Sequence, residues 1–190
     1  GTLSDLVGSG TTYTATFTLT PGSTADGVVS VASNVFSDAT GNVNNDGTDA
    51  NNRVTMTVDT VPPTIAVTSN KTSLRIGQAA TLTFVLSEVA TDFVTSDVTV
   101  SGGTLSDLVG SGTTYTATFT PTTNSTAAGV VSVADSTFSD AAGNFNVDGA
   151  ETNNRVTMTV DTVLPTIVVT SNKTIVGAGQ TATLTFVLSE

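Results

Sequence analysis

The 190 residues contain no cysteine, no histidine and no tryptophan. Without cysteine, disulfides and thiolate zinc sites are excluded. Without cysteine or histidine, the usual transition-metal ligand sets go as well. No Ser–His or Cys–His pair can form, and no phosphate-binding loop is present, so nothing supports catalysis. Basic residues are scarce: Lys and Arg number 5 against 16 Asp and Glu, a formal net charge of −11. Nucleic acid requires a basic face and is excluded as a partner. Anionic membranes are excluded on the same ground. No apolar run reaches transmembrane length, and no signal peptide is visible. Aromatic residues are only 5%, which leaves few of the anchors that a ligand-binding surface uses.

What remains is Thr, Ser, Val, Gly, Ala and Asn, a mix that favours strands and turns over helices. Most carboxylates have no Lys or Arg to pair with. Solvation would satisfy them, and so would a divalent cation held by oxygen ligands.

The chain repeats itself. At an offset of 102 residues, positions 1–88 align without a gap with 103–190, and 68 of the 88 are identical. A period near 100 is too long for a solenoid unit and right for a small domain. The expected organisation is the back of one module (1–61), a complete module (62–163) and the front of a third (164–190). The chain is thus expected to be cut from a tandem array.

Within the complete module, residues 64–69 alternate and read as a first strand. Ala80, Leu82, Phe84 and Leu86 share one face of a second, the period-two signature of a half-buried strand. A turn is expected between them, from Asn70 to Gln78. Further strands are predicted over 98–101, 104–109, 114–120, 130–134 and 156–161. No helical periodicity occurs. Seven short strands in about 100 residues predict an all-β chain of tandem immunoglobulin-like β-sandwich modules.

Between modules lies Val58-Asp59-Thr60-Val61-Pro62-Pro63-Thr64-Ile65, which returns as Val160-Asp161-Thr162-Val163-Leu164-Pro165-Thr166-Ile167. Proline removes a ladder donor and fixes φ, so this is a seam. Strand directions bring the incoming linker, the loop after the second strand and the long loop before the last strand to one pole. Asp59, Glu88 and Asp140 therefore converge, with Asp92 and Asp97 nearby. Such a set suits calcium, which takes six to eight oxygens; magnesium prefers to keep its waters. A plain turn role for Asp140-Ala141-Ala142-Gly143-Asn144 is the competing reading.

Four stretches, in order, carry a resemblance. They are Asp59-Thr60-Val61-Pro62-Pro63-Thr64-Ile65, Leu82-Thr83-Phe84-Val85-Leu86-Ser87-Glu88, Tyr115-Thr116-Ala117-Thr118-Phe119-Thr120-Pro121 and Phe138-Ser139-Asp140-Ala141-Ala142-Gly143-Asn144. Together they resemble the bacterial Ig-like repeats of large type I-secreted, RTX-like surface adhesins. The resemblance spans the chain. It implies an extracellular extender region in biofilm or host adhesion, with neighbouring repeats as partners and no small-molecule substrate. It also implies calcium at module junctions, carried here by Asp59, Glu88 and Asp140, with Asn144 and Asp148 beside them. Asp161, Glu190 and Asp38 occupy the matching positions of the other copies. The alternative is a module whose loops bind a glycan or protein directly.

Overall fold

A computed structural model describes residues 1–190. Runs in which apolar residues alternate with Thr and Ser become strands, because a side-chain period of two lets one face be buried. The first are β1 (Thr2–Leu3), β2 (Val7–Ser9), β3 (Thr12–Thr14), β4 (Phe17–Thr18), β5 (Gly27–Ser30) and β6 (Arg53–Met56). Then come β7 (Ile65–Ser69), β8 (Ser73–Arg75), β9 (Ala80–Leu86), β10 (Val98–Ser101), β11 (Gly103–Leu105) and β12 (Val109–Ser111). The last are β13 (Thr114–Pro121), β14 (Gly129–Val133), β15 (Arg155–Asp161), β16 (Ile167–Ser171) and β17 (Leu184–Leu188). The only helical pieces are three single 3-10 turns, at Ala50–Asn52, Thr95–Asp97 and Thr152–Asn154.

The chain divides into two units. One comprises Ile65–Leu86, Val94–Ala134 and Asp148–Glu190. It holds a sheet ordered β10-β14-β15-β8 and a second ordered β11-β13-β9-β7, with β12 also paired to β13. Alternation decides what is buried. Ala80, Leu82, Phe84 and Leu86 of β9 point inward, while Thr81 and Val85 are exposed. Ile65 and Val67 on β7, Phe119 on β13, Val131 and Val133 on β14, and Met158 on β15 are buried with them. This is the core of an Ig-like β-sandwich. Each fully buried side chain of this size contributes about 1.5–3 kcal/mol.

Phe119 sets the packing at one end of that core. A Cβ added at Gly103 would meet its ring at 2.5 Å, and one at Gly129 at 2.6 Å. Two glycines therefore make the space the ring fills. In the same unit β16 and β17 form a separate antiparallel hairpin, exposed along its whole length.

The other unit comprises Gly1–Thr64, Ser87–Phe93 and Asp135–Val147. It contains the antiparallel pairs β1–β4, β2–β3 and β5–β6. The loop residues 87–93 and 135–147 meet through Phe93 and Phe138, edge to face at 5.3 Å between ring centres. Both rings are buried.

Two expectations need correcting. The stretch from Asn70 to Gln78, expected as a turn, contains β8, which pairs parallel to β15 with Ser73 opposite Thr159 and Arg75 opposite Asp161. The strand expected over 104–109 is two, β11 and β12, separated by Ser106–Leu108. There the Ser106 hydroxyl accepts the Thr118 N–H and the Leu108 N–H goes to Thr95 Oγ1. Side chains replace ladder bonds, and the strand breaks.

Candidate metal centre

Three segments of the unit that comprises Gly1–Thr64, Ser87–Phe93 and Asp135–Val147 bring oxygen atoms together. The linker is positioned first. Val58 and Pro63 are buried. The Thr60 hydroxyl donates to the Thr20 carbonyl at 2.7 Å and accepts the Ser23 N–H at 2.9 Å. Asp59, between Val58 and Thr60, turns back on itself, its Oδ1 accepting the Val61 N–H at 3.1 Å.

Glu88 follows from the next contact along the linker. Pro62 and Pro63 cannot donate, so pairing resumes at Thr64. The Thr64 N–H donates to Ser87 Oγ, and the Ser87 N–H donates to the Thr64 carbonyl, both at 2.9 Å. This exchange places the residue after Ser87 beside the linker.

Asp140 comes from the long loop before β15. The loop is held by bridges between Ser139 and Phe145 and between Ala90 and Asp140. Asp92 staples it from the other side, accepting the Ser139 N–H at 2.7 Å and its hydroxyl at 3.1 Å. Asp140 Oδ1 accepts the N–H groups of Ala142 and Asn144 at 2.8 and 2.9 Å, and Oδ2 accepts Asn144 Nδ2 at 2.7 Å. The turn closes at Gly143, whose φ of +88° lies in the left-handed region that favours glycine.

The result is a cluster of Asp59, Glu88 and Asp140, with one carboxylate oxygen from each within 4.8 Å of the others. Asp140 is buried, and the other two are half-buried. Electrostatics registers the crowding. Burial pushes the Glu88 carboxyl above its ordinary range, and the charges of Asp140 and Asp59 push it further. Burial also acts upward on Asp140. Hydrogen bonds from the Asn144 side chain and from the backbone of Asn144, Ala142 and Gly143 outweigh it and hold that carboxyl low. The site thus keeps Asp140 ionised and penalises ionised Glu88, a penalty that a cation would remove. All donors are oxygens, and each carboxylate has four lone-pair sites, so accepting local N–H bonds leaves coordinating capacity. The residues present fit a hard divalent cation.

The remaining candidates are placed differently. Asn144 turns its amide N–H2 toward the cluster, donating to Asp140 and, at 3.2 Å, to the Asp59 carbonyl. Its amide thereby ties the Asp140 carboxylate to the linker backbone at Asp59. Asp148 Oδ2 accepts the Ile65 N–H at 2.7 Å and is not part of the cluster. Asp161 repeats the Asp59 turn, accepting the Val163 N–H at 3.1 Å, and is exposed like Glu190. Asp38 repeats the Asp140 loop, with bonds from Asn42 foremost in holding its pKa at about 2. No second cluster of three forms around these residues. Asp97 accepts the Val94 N–H at 2.8 Å and caps its own turn.

Sequence reasoning missed the buried asparagines. Asn146 Oδ1 accepts the Thr137 and Phe138 N–H groups, and Asn154 Nδ2 donates to the Asp148 carbonyl at 2.7 Å. Both are almost fully buried. Their recurrence as Asn44 and Asn52, where Asn52 donates to the Asp46 carbonyl in the same way, was the available signal.

A family model described as "Bacterial Ig-like domain" matches residues 1–57 and 59–160. Searches of curated proteins and of solved structures returned no match to the chain.

Proposed function

The chain belongs to the bacterial Ig-like domain family, and from that premise we propose that it is an extender segment of a surface adhesin whose joints are stiffened by calcium. One observation carries the reading: a linker, the loop after β9 and the loop before β15 each place a carboxylate in a cluster 4.8 Å across. Without a cation the three carboxylates repel, which works against the hydrogen bonds that hold the linker to the loops. A bound cation reverses the sign and ties Asp59 to both loops. Bending at Val58-Asp59-Thr60-Val61 then costs coordination bonds, so a long array holds an adhesive tip away from the cell.

Extracellular calcium modules bind with Kd on the order of 10⁻⁴–10⁻³ M. Such a joint is slack inside a cell and stiff outside, which suits export of an unfolded chain. Neighbouring repeats are the partners in this arrangement.

Small-angle scattering and thermal unfolding, each in millimolar calcium and in chelator, test the reading. Calcium is expected to lengthen the maximum dimension and raise the melting temperature. At 100 times Kd, binding to the folded state alone adds about 2.7 kcal/mol. Identical scattering and melting in the two buffers would reject it.

A further inference from the structure

Thr60 and Thr162 hold the same place in two seams, one residue after Asp59 and Asp161. Thr60 spends every polar group it has on the loop behind it. Its N–H donates to the Ser23 carbonyl at 3.0 Å, and its carbonyl accepts the Gly22 N–H at 3.1 Å. Its hydroxyl donates to the Thr20 carbonyl at 2.7 Å and accepts the Ser23 N–H at 2.9 Å. Thr162 repeats three of these bonds inside the complete sandwich. Its N–H donates to the Ser125 carbonyl at 3.0 Å. Its hydroxyl donates to the Thr122 carbonyl at 2.7 Å and accepts the Ser125 N–H at 2.9 Å. Thr162 is only 3% exposed, so the clamp belongs to a whole module.

The loops that receive the two threonines differ. Residues 19, 21, 22 and 26 do not match 121, 123, 124 and 128. Gly22 and Asn124, at φ +66° and +53°, both make the left-handed turn, which asparagine tolerates where most residues do not. Across these changes the bonds to threonine keep their partners and their lengths. A hydroxyl both donates and accepts here, and valine, with nearly the same shape, can do neither.

Asp59 lies between this anchor and the buried Val58. Beyond Thr60, two prolines donate nothing, and the next backbone pairing is Thr64 with Ser87 on the far side of the joint. We propose that Thr60 is a positioning residue for the cation site. Its hydroxyl fixes Asp59 to the loop at 20–23, so the carboxylate is in place before an ion binds. The bound ion then ties that loop, rather than a slack linker, to Glu88 and Asp140. This inference rests on the calcium reading. A linker already ordered has less conformational freedom to lose on binding, and a group that orients a metal ligand changes affinity by about 10–100-fold.

Calorimetric titration of calcium into the 190-residue chain tests the role, with three variants beside the wild type. Thr60→Val is expected to weaken binding about 10-fold or more. Thr60→Ser, which restores the hydroxyl, is expected to return the affinity to near the wild-type value. Thr162→Val removes the same bonds from the complete sandwich and lowers its melting temperature. It is expected to leave the affinity unchanged, because it anchors Asp161 and not Asp59. Wild-type affinity in Thr60→Val would overturn the positioning role and leave the calcium reading standing. A loss shared by Thr60→Ser, or matched by Thr162→Val, would overturn it too, since the hydroxyl beside Asp59 would then not be the cause. Absence of calcium binding by the wild type would overturn both.

Discussion

Glu88 and Asp140 face each other across the cluster with opposite responses to their surroundings. Glu88 is raised by burial and by two neighbouring charges. In chelator the folded state therefore holds this proton where the unfolded chain has released it. The stability it contributes is full below the ordinary value of 4.5 and is lost as pH rises through the folded pKa. Glu88→Gln is expected to flatten that loss in a chelator pH series of melting temperatures, and to reduce the rise on adding calcium. Asp140 has the opposite sign. Its lowered pKa contributes stability above 3.8 that disappears as pH falls through the folded value. Asp140→Asn keeps one oxygen for the Ala142 and Asn144 N–H groups but sets an NH2 against Asn144 Nδ2, where the carboxylate had accepted. It is expected to cost about 1–3 kcal/mol in denaturant unfolding. Both charges were legible as acidic residues on turns. Which one carries the strain was not, because that depends on how many N–H groups reach each carboxylate.

At the scale of elements, the strands were readable wherever alternation ran for several residues. Ala80 to Leu86 declares its inward face by period two, and the structure buries that face. β8 was not readable. Ser73–Arg75 is three residues long and has no pattern of its own; it is a strand because β15 lies beside it. Turn geometry shows the same division. At Gly143 a Cβ would meet nothing within 4 Å, so Gly143→Ala tests backbone conformation alone. A left-handed non-glycine residue costs about 1–2 kcal/mol, and that loss is expected in urea unfolding. Gly129→Ala tests the opposite case. Its Cβ would strike the Phe119 ring at 2.6 Å, an overpacking that costs about 1–3 kcal/mol. Larger neighbours cannot relieve it, whereas Phe119→Leu is expected to recover part of the loss in the double variant.

For the whole molecule, burial is concentrated in the middle of the chain. In sequence, every fully buried aromatic and aliphatic side chain except Pro63 falls between Ile65 and Met158, while β16 and β17 are exposed throughout. Amide exchange follows local burial and pairing. In dilute solution, residues 1–20 and 164–190 are expected to exchange fast and the interior strands β9, β13, β14 and β15 slowly.

The sequence by itself determined the repeat of 102 residues, the all-β class, the inward face of each long strand and the oxygen-only character of any ion site. These follow from composition and from periodicities carried by neighbouring residues. It also located Asp59, Glu88 and Asp140 at one pole, because strand direction alternates. Only the tertiary structure decided that Asn144 serves the cluster as a donor, that Asp148 accepts the Ile65 N–H, and that β8 joins β15. Those outcomes depend on which groups compete for the same lone pairs and edges once distant segments meet, and one-dimensional spacing does not record that competition.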